Sequence, residues 1–105
     1  MIRHIVTVRY KDGFSREENE ANAKEIKRLL EALKQIIPGI REFTVHINLC
    51  SSSNMDVVFD SVFETEEALA EYQVHPEHLR VADYVRTVMI DRVCVDFPII
   101  EVVNI

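Results

Sequence analysis

Polar and apolar positions alternate along four stretches of the chain, and the segments between them carry helical stripes. In residues 2–11, Ile2, His4, Val6, Val8 and Tyr10 fall on one side, Arg3, Ile5, Thr7 and Arg9 on the other, the period of a strand. Lys11-Asp12-Gly13 is a turn. Ser15 followed by Glu18 makes a capping box, and it opens a helix to Ile37. Ala23, Ile26, Leu30, Leu33 and Ile37 form the helix's apolar stripe, flanked by Leu29 and Ile36, and Pro38-Gly39 ends it. Alternation returns over 40–50, with Phe43, Val45, Ile47 and Leu49 against Thr44, His46 and Asn48. The loop Ser51-Ser52-Ser53-Asn54 leads to a third strand over 55–63. There Val57, Phe59, Ser61 and Phe63 oppose Asp56, Val58, Asp60 and Val62. Thr65 can cap a second helix through Ala68, Leu69 and Tyr72. His75 precedes Pro76 and is pushed toward an extended conformation, so Pro76 begins a new helical segment to about Thr87. Residues 90–97 give a fourth strand, Val93, Val95 and Phe97 against Arg92, Cys94 and Asp96.

The order β-α-β-β-α-β predicts an α+β domain of the ferredoxin-like arrangement, one domain over residues 1–105. Right-handed crossovers lead to the expectation that strands 1 and 3 lie side by side and parallel in the centre, with strands 2 and 4 at the edges. One sheet face reads as nearly all apolar (Val6, Val8, Phe43, Val45, Ile47, Val57, Phe59, Val93, Val95), and the helices should cover it. The other is mixed: Ile5, Val58, Val62 and Cys94 beside Thr7, Arg9, His46, Asp60, Arg92 and Asp96. A second subunit's sheet would bury its aliphatics and pair its charges, so a homodimer is expected, with Asp60 and Arg92 in or around the interface. The tail from Pro98 to Ile105 carries five branched aliphatics and is expected to pack on the partner as an arm rather than extend into water. Its alternative is to fold back on its own subunit.

Charge narrows the list of partners. The net charge is −6, from 18 acidic and 12 basic residues, and no Lys/Arg run could neutralise several phosphates. Nucleic acid and anionic membrane are therefore excluded as partners. The opening Met1–Val8 is too short and polar-interrupted to read as a signal peptide, and no stretch approaches the roughly 18 apolar residues of a membrane span. Cys50 and Cys94 are too few for a disulfide scaffold and lack zinc-type spacing. Their strand contexts read as buried free thiols of a cytoplasmic protein.

Candidate chemistry gathers at the second helix break, where Tyr72, His75 and His78 fall within seven residues. His4 places an imidazole in the apolar layer of strand 1, with Val57 of strand 3 expected as its near neighbour. His75 and His78 are three apart, but His75 lies before the proline and no carboxylate cluster accompanies them, so no metal site is expected. The plainer readings stand alongside: His4 as a satisfied core histidine, Tyr72 as a core residue with its hydroxyl reaching water, His75 as a helix cap.

The segment Tyr72-Gln73-Val74-His75-Pro76-Glu77-His78, with the opening Ile2-Arg3-His4-Ile5-Val6, resembles the stress-responsive dimeric α/β-barrel (Dabb) domain family. The match in length and element order extends over nearly the whole chain. The resemblance implies a dimer whose two sheets close a barrel. Some plant members of that family are polyketide cyclases of the olivetolic acid type, which carry out intramolecular aldol chemistry with no cofactor. Their catalytic tyrosine and histidine are matched here by Tyr72 and His78, and their first-strand pocket histidine by His4. A further pocket histidine of those cyclases, on strand 3, is matched by Val57, which makes the pocket here less polar; His75 completes the implied ligand pocket. Three function classes follow. The first is a dimeric family member of unassigned role that binds a small apolar or carbonyl ligand. The second is a cofactor-independent cyclase or lyase using the Tyr-His pair. The third is a relative of the cofactorless dimeric-barrel monooxygenases.

Overall fold

The alternation of the first stretch becomes β1 (Ile2–Tyr10), whose even-numbered residues through Val8 are buried. The computed structural model describes residues 1–100. Helix α1 (Arg16–Ala32) starts at the expected capping box: the Ser15 hydroxyl accepts from the Glu18 N–H, and the Glu18 carboxylate accepts from the Ser15 N–H. The helix tightens into a 3₁₀ turn over Leu33–Gln35, and the whole stripe from Ala23 to Ile37 is buried. Then follow β2 (Ile40–His46), β3 (Val57–Phe63), α2 (Glu66–Val74), α3 (Pro76–Val88) and β4 (Met89–Pro98). The architecture is the ferredoxin-like one, a four-stranded sheet in the order β2-β3-β1-β4 with the helices on one face. No helix among the described residues is long and apolar enough to cross a membrane.

Two expectations are corrected here. β1 and β3 are central neighbours, but they run antiparallel. β3 returns from β2 and inserts between β2 and β1, so it opposes both; β1 and β2 run parallel but do not touch. The register then sets His4 opposite Ser61 and Val57 opposite Val8, which moves Val57 four residue pairs along the ladder from His4.

The second correction concerns β4. Opposed residues in an antiparallel pair share a face, and Val93, Val95 and Phe97 oppose Thr7, Ile5 and Arg3. They therefore lie on the open face, while Cys94 and Asp96, opposite Val6 and His4, lie on the helix side. A bulge causes the inversion. Between the pairs Arg9–Ile90 and Thr7–Val93, β1 advances two residues and β4 three, with Asp91 at φ 58°. One extra residue reverses the facing of everything beyond it. Arg92 consequently leaves the open face and turns to the helix side. Both cysteines are exposed free thiols rather than buried ones: Cys50 lies in the connection between β2 and β3, past the end of the strand, and Cys94 on the exposed edge strand β4.

The two sheet edges differ. Along β2, Val45 donates its N–H to the Glu31 carboxylate at 2.9 Å, and its carbonyl accepts from Lys27 Nζ at 2.8 Å. Lys27 also bonds Glu31 at 2.7 Å. Burial raises the Glu31 carboxyl pKa, but these bonds outweigh it and hold the carboxyl below its ordinary range. At β4, Ile99 N–H donates to the Met1 carbonyl at 2.9 Å, so the start of the tail continues the β1–β4 ladder within its own subunit. The rest of the expected arm, 101–105, lies outside the described residues.

Gly39 ends the α1 crossover at φ 89°, and a Cβ there would sit 2.7 Å from the Ala68 Cβ. Gly13, at φ 103°, has open space around it. Gly39→Ala should lose about 1–3 kcal/mol of unfolding free energy in urea. Gly13→Ala should lose less, and the difference between the two isolates the close approach of α2.

Candidate functional site

The break between α2 and α3 positions two of the candidate side chains. Thr65 caps α2 through a bond from the Ala68 N–H to its hydroxyl at 3.0 Å. The helix stops at His75 (φ −66°, ψ 134°), as the following proline requires. Pro76 then occupies the first turn of α3, and His75 Nδ1 accepts from the Glu77 N–H at 3.1 Å. His75 is thus the helix cap and does not line the cavity described below; the cap bond directs its ring to the start of α3. Tyr72, one turn before the break, is buried, and His78, one turn after it, is half-buried. Their rings lie against each other with centroids 4.2 Å apart.

These rings close one side of a cavity of about 340 Å³ between the helices and the sheet. His4, Tyr72 and His78 all line it. Val57 does not, although Val8 opposite it does; Phe59, opposite Val6, provides the β3 wall instead. Val6, Val8, Leu30 and Phe43 make the remaining floor apolar. Arg92 and Arg86 stand on the lining as well.

His4 is 4% exposed, and its Nδ1 bonds the Asp96 carboxylate. The two residues face each other across the β1–β4 pair, so the register itself provides the partner. Its ring meets Phe63 and Tyr72 edge-on at 6.1 and 6.3 Å, and the Ser61 hydroxyl donates to the His4 carbonyl at 3.1 Å. Cys94 Sγ lies 3.7 Å from the same nitrogen and 3.5 Å from Asp96. Burial, then the Asp96 charge and hydrogen bond, push this thiol pKa up, so Cys94 stays protonated. His4, Cys94 and Asp96 form the group of metal-donor side chains found among the described residues. His75 and His78 do not belong to it.

The pair at the helix break has complementary protonation. Burial is the main cause that raises the Tyr72 phenol pKa far above its ordinary value, with Arg92 opposing weakly. It is therefore a hydrogen-bond donor at any physiological pH. His78 is shifted down, first by burial and then by His4, Arg92 and Arg86, against a raising bond to the Gln73 carbonyl. That bond, 3.2 Å from Nδ1, makes Nδ1 the protonated nitrogen, since a carbonyl only accepts. Nε2 is left with a free lone pair, as a proton acceptor requires.

Arg92, Asp96, Cys94 and Phe59 were not in the sequence-derived site. Phe59 was readable from its strand alternation once the antiparallel register was known. The other three follow only from the bulge.

His78 should titrate with a midpoint below the ordinary 6.5. The ring is imidazolium below that midpoint and a neutral base above it. An NMR titration of its Cε1 proton measures this, and Arg92→Gln should move the midpoint upward by removing a cation.

Comparison with known proteins places this geometry. The stress responsive A/B barrel domain family matches residues 2–99. A stress-response A/B barrel domain-containing protein of Arabidopsis thaliana, HS1, is 32% identical over 84 residues, 77% of this chain and 73% of that protein. A dimeric Bacteroides fragilis protein of unknown function and ferredoxin-like fold superposes with a TM-score of 0.86 at 26% identity, over 93% of this chain and 95% of that one. Hydroxynitrile lyase from Passiflora edulis shares the fold with a TM-score of 0.77 at 20% identity, over 98% and 96% of the two chains. Fold, length and sequence agree, and the chain belongs to the stress-responsive A/B barrel domain family.

Proposed function

We propose that the protein is a homodimer whose cavity binds a small, largely apolar carbonyl compound, with His78 as proton acceptor and Tyr72 as hydrogen-bond donor to the carbonyl oxygen. The observation that carries this reading is the pair itself: a phenol kept protonated and an imidazole kept neutral, in contact at the wall of an apolar cavity. A neutral imidazole can take a proton from the carbon beside a carbonyl. A phenol can stabilise the enolate oxygen that forms. No cofactor enters these steps. The chemistry is of the cyclase or lyase kind, and the Passiflora edulis neighbour is named as a lyase.

The open sheet face supports the dimer. Val93, Val95 and Phe97 are about half exposed and adjoin Ile5 and Val58, a larger apolar patch than the sequence predicted. Beside them, Arg3 lies 3.9 Å from both Glu42 and Asp60, and its buried Nε has no hydrogen-bond partner among the described residues. A second sheet would cover the aliphatics. Similar structures from Bacteroides fragilis and Thermobifida fusca are described as dimeric. Two exposed, unpaired thiols suit the reducing cytoplasm.

Two experiments test these statements. Sedimentation at micromolar concentration should give twice the chain mass, and Val95→Lys should shift it to monomer; a monomeric wild type removes the dimer. An alkyl phenyl ketone in D₂O should bind and exchange its α-protons faster than in buffer. His78→Ala should slow that exchange by roughly 10²–10⁴-fold, and Tyr72→Phe by less, with folding intact in both. Exchange unaffected by His78→Ala would assign the proton transfer elsewhere.

A further inference from the structure

We infer that Arg92 is the anion anchor of the cavity, and that the ligand is an apolar molecule carrying one carboxylate. This rests on the ligand-binding reading above and narrows it to a chemical class.

The bulge is the first observation. It places Asp91, a residue with a side chain, at φ 58°, a conformation that residues other than glycine adopt sparingly. Its effect is to reverse β4 and bring Arg92 from the open face to the cavity. Bulges of this kind re-aim side chains next to functional sites.

The second observation is the pairing of the charges around the cavity. Arg86 is held by Asp83 at 2.7 Å and Asp91 lies 3.8 Å from Arg9. Arg92 forms no ion pair among the described residues; the acids nearest it in sequence, Asp91 and Asp96, pair with Arg9 and His4. A guanidinium at the edge of an apolar cavity offers two parallel N–H donors to a carboxylate, while the lining from Val6 to Phe59 receives the rest of the molecule. Arg92 also lies close enough to Tyr72 and His78 to influence both. An anion held there leaves the carbonyl end of the ligand near the pair, with the apolar body against Leu30 and Phe43.

A matched pair of probes separates the anchor from the cavity. 4-Butylbenzoate and 4-butylbenzamide have the same shape, and only the first is charged. Isothermal titration of the full-length protein should give the acid about tenfold tighter binding than the amide, a preference that shrinks as salt rises. Arg92→Gln should abolish the preference, bringing the acid down to the amide's affinity; Arg92→Lys should restore part of the preference, and Arg86→Gln should change it little. Equal binding of both probes to the wild type overturns the anchor and leaves the cavity reading standing. Loss of the preference in Arg86→Gln but not in Arg92→Gln overturns the assignment to Arg92. If neither probe binds the wild type, both readings fall.

Discussion

An imidazole inside an apolar layer must be given hydrogen-bond partners, and the rest of the site is arranged around meeting that demand for His4. Leaving such a ring unpaired costs about 1–3 kcal/mol, a large part of a small domain's stability. The solution is Asp96, directly across the β1–β4 pair. With β4 paired one residue out of step, Asp96 would face the open side and His4 would meet an aliphatic. The same register turns Cys94 toward the ring and sends Val93, Val95 and Phe97 outward. The composition of the open face and the polarity of the cavity therefore have one cause.

That cause is local. A single extra residue at Asp91 reverses β4, and the sheet beyond it acquires two dissimilar sides. On the helix side, β4 contributes polar groups to a cavity whose floor is otherwise aliphatic and aromatic. On the open side it contributes three exposed hydrophobes beside a charged set formed by Arg3, Glu42, Asp60 and His46. The helix break does similar work from above. Pro76 forces a second helix start, and the turn between the two helices brings Tyr72 and His78 ring against ring.

Most of the fold was legible because its signals are periodic or chemical. Alternation located all four strands, Ser15 and Glu18 marked the start of α1, and Pro76 marked the helix break. The directions of β1 and β3 were misread because the crossover rule was applied to the wrong pair: the crossover through α1 makes β1 and β2 parallel, and the chain reverses before β3. That reversal moved Val57 away from His4. The facing of β4 was misread for a different reason. Its alternation is genuine, but the apolar set was assigned to the core by composition, and a bulge of one residue leaves no trace in hydropathy. Tyr72, His78 and His4 were legible through their motif; Asp96 and Arg92 were not, since their place depends on that bulge. His75 has the same residue type as His78 in the motif, yet its ring serves the backbone of α3.

The unequal edges of the sheet set a limit on growth. Bare edge strands invite addition of further strands, and a sheet with two of them can extend into a ribbon without end. Here the backbone of β2 at Val45 is already engaged by Lys27 and Glu31 from α1. Strand addition through β4 alone would join two copies about a two-fold axis and leave a stapled β2 at each outer end. The staple thus makes β2 the poorer of the two edges for accepting a further strand, and leaves β4 as the side on which the sheet can still grow.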